Sequence, residues 1–503
     1  MATLGIELCD AAFQAASSQN NEVQCLTVAD AGGVADWPGF AYFDGQKFAF
    51  GRAGEDQWFV HPRRVAHTFW ARLAHEPSTI GPAGRLAPFS ELAFHFFREF
   101  MERASRAAPS EKVVLAVPGA YLKDPATEEE KIGLLLGIMG ELKLPLTGVV
   151  DMACAALCDP RAHGFNPALP VVVVDLHLEG ADITLLATEE RLERKDFIHL
   201  PQSGYAQLLK HLTGTMGNRF LRHTAFDILE DGRIEQTFFR QTKDFLLGGA
   251  AELRFQINTA SRAYELLAKR EQLASDSQAF VATLVQGLQT FLHNSAHTAE
   301  PCTIALTDRA ARLPGLEHRL RAAGFHRLLR LPAGAAACGA ARLGDTRFDL
   351  AADLADVPVE TAVPLSLARR SAAAAWEARL QKMRATGTAR PSPTHVILDG
   401  IGTAIGSSGR FTIGVAGVGA DVALPDAFNS ADDCAIPLVR EGGRLWFVDT
   451  TVSRASGAPA APTAPAARTA VEAGDRLTIR CGTVSADVLF AHCPAANGSR
   501  AHD

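Results

Sequence analysis

Apolar positions along this chain follow two rhythms. The first is the short β-branched run: Lys112–Pro118 reads KVVLAVP, and Val171–Ala187 reads VVVVDLHLEGADITLLA. An uninterrupted run of this kind predicts a strand buried on both faces. The second stretch predicts a strand, a tight corner at His177–Gly180, and a returning strand over Ile183–Leu186. Leu4–Leu8 predicts another strand, turning at Cys9-Asp10, with Val23–Val28 as its hairpin partner. Gly39–Phe50 alternates around Asp44-Gly45, a two-residue hairpin signal. Cys302–Leu306 predicts a further strand.

The second rhythm is helical. Residues 88–107 place Leu92, Phe94, Phe96, Phe97, Phe100 and Met101 at helical spacing. Pro125–Glu141 predicts a helix, with Thr127 and Glu130 as a capping box. Gly148–Leu157 starts extended and turns helical, and helices are expected over 202–216, 222–230 and Leu316–Ala323. Leu247–Arg270 and Asp276–His293 read as a pair of packed helices. Pro332–Leu343 is a helix of small residues, suited to close approach to a backbone. Two groups of strands, each followed by helices, with a helical insert between them, predict an α/β architecture of two similar lobes.

After residue 344 the pattern changes. Asp349–Pro364 is polar and punctuated by proline, Ser371–Lys382 is a short Ala-rich helix, and Ala385–Pro393 has linker composition. Val396–Phe490 carries short strands at the spacing of a small all-β sandwich, interrupted by an Ala-Pro loop over Arg454–Arg468. The expected division is 1–345, a linker over 346–393, a sandwich over 394–493 and a disordered tail over 494–503.

Composition narrows the class. The net charge is −7 with no block of like charge, which excludes nucleic acid or an anionic membrane surface as the main partner. The longest apolar stretch, Ile132–Val150, is broken by Glu141 and Lys143, so no membrane insertion is expected. MATLGIELCDAAF lacks the basic and apolar regions of a secretory signal. Nine scattered cysteines are an odd number in a long chain, which argues for a reducing cytoplasm rather than a disulfide scaffold. Cys154 and Cys158 fit an apolar helix, DMACAALC, better than a metal pair, and no metal site is assigned.

Seven stretches, in order, resemble the heat-shock-seventy (DnaK-type) chaperones of the actin-fold ATPase superfamily. LGIELCDAAF is similar to that family's first phosphate loop, and VLAVPGAYL to its V-I-T-V-P-A-Y-F strand. DMACAAL matches its lobe-connecting E-P-T-A-A-A-L, and VVVVDLHLEGADITLL its second phosphate loop. TDRAARLPGLEHRL parallels its adenosine motif, PAGAAACGAARLG its A-V-A-x-G-A-A helix, and ETAVPLSLA its inter-domain D-V-T-P-L-S-L-G. The resemblance covers roughly residues 3–367 and implies ATP and Mg²⁺ held between two lobes by glycine-bearing hairpins.

Carried over position by position, the chemistry is eroded. The first loop's Asp is Glu7, its Gly is Cys9, and its two Thr are Asp10 and Ala11. In the second loop Asp175 and Asp182 persist, the three Gly become His177, Leu178 and Glu179, and the Thr becomes Gly180. The connecting Glu is Asp151, and Ala71 stands where the catalytic Lys is expected. The adenosine motif's paired Gly are Asp308 and Arg309, with Arg312 retained, and the sugar-site G-G is Ser203-Gly204. Asp10 and Glu179 add anions where a tetra-anion would sit, and His177 fills nucleotide space. The resemblance with these losses implies no ordinary ATP hydrolysis. ATP and Mg²⁺ remain cofactors only if Glu7, Asp175 and Asp182 still surround a metal; otherwise the two Asp simply cap a turn.

The block from Arg410 to Thr450 is similar to a forkhead-associated domain, and VEAGDRLTIR to that family's L-x-x-G-D-x-I. That resemblance implies phosphothreonine binding, but Val415 replaces the family's Arg and Asp433 its His, which leaves Arg410 and Ser430 as phosphopeptide-binding candidates. The plainer reading is a sandwich used for protein contact. The leading function is a protein-binding scaffold or chaperone-like adaptor with a degraded ATP site, a pseudo-ATPase that binds a protein partner or client. The alternatives are an ATP-dependent chaperone with a divergent site and an actin-like polymer subunit.

Overall fold

A computed structural model describes residues 2–20, 22–28, 37–75, 87–162, 169–260, 262–295, 301–349, 353–365, 367, 392–398, 401–405, 409–414, 421–424, 435–441, 444–447, 469–473, 475–481 and 484–491. Contacts divide the chain into two units that change over after Ala372.

The first unit is α/β and is built twice on one plan. One sheet holds Thr3–Glu7 (β1), Gln14–Gln19 (β2), Glu22–Leu26 (β3), Lys112–Val117 (β4) and Leu146–Asp151 (β5). The other holds Val171–Leu176 (β6), Ala181–Thr188 (β7), Arg191–Leu200 (β8), Thr303–Leu306 (β9) and Leu328–Arg330 (β10). Val359–Glu360 (β11) adds an edge to the first sheet and Ala362–Pro364 (β12) to the second. The strand orders are β11-β5-β4-β1-β2-β3 and β10-β9-β6-β7-β8-β12. In each sheet an antiparallel meander is followed by two strands added in parallel beside the first. All of β1, β4, β5 and β6 is buried, as their apolar runs predict.

The helices are Phe89–Ala107 (α1), Pro125–Glu141 (α2), Met152–Leu157 (α3), Tyr205–Thr224 (α4), Gly232–Gly248 (α5), Gln278–Asn294 (α6) and Ala335–Thr346 (α7), with several short turns besides. The α1 stripe buries Phe96, Phe97 and Phe100 against Phe13, Trp37 and Trp70. Helix α7 follows the second sheet in sequence but packs on the first. Gly5 of β1 permits this, since a Cβ there would stand 2.2 Å from the Ala337 carbonyl oxygen of α7, and Gly339 of α7 admits the Ala155 carbonyl oxygen of α3 in the same way.

Four expectations are corrected. The neighbour of β1 is Gln14–Gln19, and Glu22–Leu26 pairs with that strand instead. The helix α2 is capped by Asp124, whose carboxylate accepts from the Thr127 backbone N–H at 2.9 Å, so Thr127 is no cap. The hairpin at Asp44 closes through four residues, with its carboxylate accepting from the N–H groups of Gln46 and Lys47. Most of Leu247–Arg270 is a hairpin, Glu252–Asn258 against Ala263–Lys269, and only Gln278–Asn294 of the expected pair is a long helix. In addition, α4 runs unbroken to Thr224 and takes in the start of the expected 222–230 helix, whose end forms only a single tight turn, Ile228–Glu230.

The second unit has two antiparallel-rich sheets around one apolar core that includes Val396, Phe411, Ile413, Leu438, Val488 and Phe490. The expected helix over Ser371–Lys382, the Ala-Pro loop and the tail lie outside the described residues. Among the described residues no helix is long and apolar enough to cross a membrane.

Candidate functional site

Two corners meet where β1 ends and where β6 turns into β7. The corner His177–Gly180 is closed by the His177 N–H on the Gly180 carbonyl at 2.8 Å. A Cβ on Gly180 would lie 2.4 Å from the His199 ring, so this is the corner residue that must stay small. The corner's own carbonyls accept the first N–H groups of α4: Tyr205 bonds to His177 and Ala206 to Leu178. Gly204 caps that helix, and Ser203 is buried beside it with its hydroxyl unpartnered. These N–H groups are therefore spent within the protein and are not presented to a phosphate.

The expected anions are present, and each is engaged internally. The Asp10 carboxylate accepts from the Leu178 N–H at 2.7 Å, tying the first corner to the second. Glu179 hydrogen-bonds His67 at 2.8 Å. Asp182 meets His199 at 2.7 Å and accepts from the Ala120 N–H at 3.3 Å. Asp151 caps α3, accepting from the N–H groups of Ala153 and Cys154, and receives Arg194 at 3.1 Å. Asp10 and Glu179, expected as anions unfavourable to a phosphate, are thus each hydrogen-bonded within the protein.

The group that sequence reasoning recorded only as a lost glycine proves central. Arg309, buried on the short helix Asp308–Ala311, turns back into the gap between the corners. Its Nη2 donates to Glu7 at 2.7 Å and lies 3.4 Å from Asp175, while its Nε donates to the Leu176 carbonyl at 3.2 Å. The Thr307 hydroxyl donates to Asp175 at 2.7 Å. Burial pushes the Glu7 carboxyl up, against the pull of Arg309. At 2.7 Å from a permanent guanidinium cation, we read the pair as ionic at neutral pH.

His177 is the second internal cation. Its Nδ1 lies 3.5 Å from Asp10, and its Nε2 lies 3.4 Å from Asp182 and 3.6 Å from Asp175. Burial alone would favour the neutral ring, but the Cys9 sulfur and the carboxylates of Asp182, Asp10 and Asp175 pull the other way and raise His177 well above the ordinary histidine range. The same contacts hold Asp182 below the usual carboxylate range against its burial. Cys9, Asp175 and His177 bring donor atoms within 4.8 Å of one another, a spacing open to a metal ion. Burial pushes the Cys9 thiol up, so an ion bound there would have to displace both the thiol proton and the His177 proton.

Because the folded-state pKa of His177 is raised, its stabilisation is complete below the unfolded value of about 6.5 and is lost as pH rises through the folded value. Thermal melts of wild type and His177→Asn should therefore differ most near pH 6 or below, with the gap closing at alkaline pH. A gap independent of pH would contradict this assignment.

The cavity left between the corners is about 20 Å³ and is lined by Glu7, Asp175, His177, Asp182 and Asp308. The water-accessible part of that space is about the size of one water, with the Arg309 and His177 side chains among its lining. Of the other candidates, Ala71 sits on an exposed turn away from this cavity. Arg312 pairs with Asp308 at 2.9 Å and donates to the Leu247 carbonyl. Arg410 lies on the strand Gly409–Gly414 of the second unit, and Ser430 lies outside the described residues.

The two halves also meet at a second place that sequence reasoning missed. Lys243 on α5 is 2.8 Å from both carboxylate oxygens of Glu55, and both side chains are 2 % exposed. Gln236 donates to the Glu55 carbonyl and accepts from the Phe59 N–H, and Phe239 packs edge-on against Trp58. The contact rigidly joins the helix Arg52–Glu55 of the first half to α5 of the second. Set against known proteins, the chain matches no family model and no curated sequence, so its function is argued from this geometry.

Proposed function

We propose that the first unit is a two-lobed, DnaK-like actin-fold domain that has exchanged its nucleotide and metal for its own side chains. In this reading the protein is a pseudo-ATPase, a scaffold or chaperone-like adaptor that presents a fixed surface to a protein partner. The observation that carries it is the Arg309 guanidinium between Glu7 and Asp175, at 2.7 and 3.4 Å, where the resemblance would put Mg²⁺ and phosphate. With His177 it offsets two of the four carboxylate charges of Glu7, Asp10, Asp175 and Asp182. The duplicated sheet plan supports the two-lobed assignment, and the Glu55–Lys243 contact supports a pair of lobes that stays closed. The sandwich of the second unit is assigned to protein contact.

The test is nucleotide binding by the full chain. A ligand at about 100 times its Kd stabilises by about 2.7 kcal/mol. Millimolar ATP with Mg²⁺ should leave the melting temperature within about 1 °C of the apo value, with no turnover. Micromolar binding with hydrolysis that disappears in Asp175→Ala would overturn the proposal in favour of an ATP-driven chaperone.

A further inference from the structure

Outside the cleft, two free cysteines from distant parts of the chain converge on the first turn of α7. Cys25, half-buried on β3 at the edge of the first sheet, packs its sulfur over Gly334; a Cβ there would lie 2.7 Å from that sulfur. Cys338 lies one helical turn on, its N–H bonded to the Gly334 carbonyl, and it is fully buried with Ala16, Ala337 and Ala341. Cys25 packs against that same cluster. The third member is Arg161. Its guanidinium is held in place by Asp159, at 2.8–3.1 Å, and by the Ala333 carbonyl, and its Nη2 donates to the Cys338 sulfur at 3.2 Å.

We propose that Cys25, Cys338 and Arg161 form a thiol–disulfide exchange site that reacts with low-molecular-weight disulfides of the glutathione class. Cys25 is the accessible sulfur and attacks first. Its thiolate displaces one glutathione thiolate and becomes a mixed disulfide. Cys338, whose sulfur accepts from Arg161, gives up its proton to the departing glutathione thiolate, attacks the Cys25 sulfur and expels the second glutathione thiolate. Two thiol protons pass to the two glutathiones, one disulfide is reduced and one is formed, so the exchange balances. The placement of charge fits these roles. The adjoining Cys338 thiol, then the Arg161 guanidinium, both opposed by burial, bring Cys25 down to about 7, while Cys338 is correspondingly raised. The two sulfurs share one proton, and the first is lost below the ordinary thiol value of about 8.5. The other cysteines whose titration is shifted, Cys9, Cys154 and Cys158, are fully buried and pushed up by that burial, which makes them inert.

The product would bolt the crossing helix α7 to the edge strand β3, closing a loop of 338 − 25 = 313 residues. The test is exposure of the full chain to graded ratios of reduced and oxidised glutathione, followed by peptide mapping under non-reducing conditions. The expected product is a Cys25–Cys338 disulfide, absent in Cys25→Ser and in Cys338→Ser, that raises the melting temperature. Arg161→Gln should slow the exchange by about tenfold at pH 7 and shift its pH–rate midpoint upward, and Arg161→Lys should restore part of the rate. Cys25 trapped as a stable glutathione adduct, or both thiols unreacted in oxidising buffer, would overturn the proposal. So would a pH–rate midpoint unmoved by Arg161→Gln.

Discussion

Arg309→Ala should lose about 3–5 kcal/mol of unfolding free energy, the range for removing one partner of a buried ion pair. The loss comes less from the guanidinium's own contacts than from what it leaves behind. Glu7 and Asp175, both buried, would face one another without the cation between them. Arg309→Lys should recover little, because the guanidinium makes three contacts at once, to Glu7, Asp175 and the Leu176 carbonyl, and an ammonium cannot reproduce that planar fork. The informative control removes every charge together. Glu7→Gln, Asp175→Asn and Arg309→Met in one chain should be far closer to wild type than Arg309→Ala alone, because an absent ion cluster costs much less than a broken one. Denaturant unfolding of the series measures this. An Arg309→Ala loss below about 1 kcal/mol would show that the cleft is wet enough to screen its anions.

Lys243→Ala should cost a similar amount, about 3–5 kcal/mol, for the same electrostatic reason. It also carries a spatial signature. Glu55 would be left buried without the Lys243 cation, and the contact between Arg52–Glu55 and α5 should loosen before the sheets do. Hydrogen exchange should accelerate in α5 and around residues 52–59 while β1, β4 and β6 remain protected. Glu55→Ala should give the same local opening. The double variant should cost less than the sum of the singles, because the stranded charge is gone from both sides. Strictly additive losses would mean that the two groups stabilise their own elements rather than each other.

Much of this fold is legible in the sequence, and the failures have specific causes. The runs at β4 and β6 and the stripe of α1 are unambiguous because burial on both faces, or on one face at helical spacing, leaves no second reading. The strand Gln14–Gln19 has almost no β-propensity: QAASSQ is small and polar. It is chosen by packing, since Ala16 lies against Ala337 and Ala341 of α7 while Ala15 faces the core on the other side. The hairpin at Glu252–Lys269 does alternate, with Phe255 and Ile257 buried between exposed Arg254, Gln256 and Asn258. That alternation is masked when the window begins before Gly248-Gly249, which ends the preceding helix. At the cleft, the sequence records which glycines are gone. It cannot record where a long replacement side chain turns, and Arg309 finds its partner 302 residues away.

The six residues Val359–Pro364 have a mechanical meaning. Within that span the chain lies along β5 of one sheet, crosses over at Thr361, and lies along β8 of the other. The crossing point is pinned: the Thr361 carbonyl accepts from the Arg194 N–H at 2.9 Å, and Glu360 is held by Arg347 at 2.8 Å. Tension applied to the chain beyond Leu365 therefore enters both sheets through a single strap. It loads β12 on β8 first and reaches β11 on β5 only after those few antiparallel bonds give way. The joint fails in sequence, one sheet at a time, so a tug from the C-terminal side frees the second half while the first half is still held.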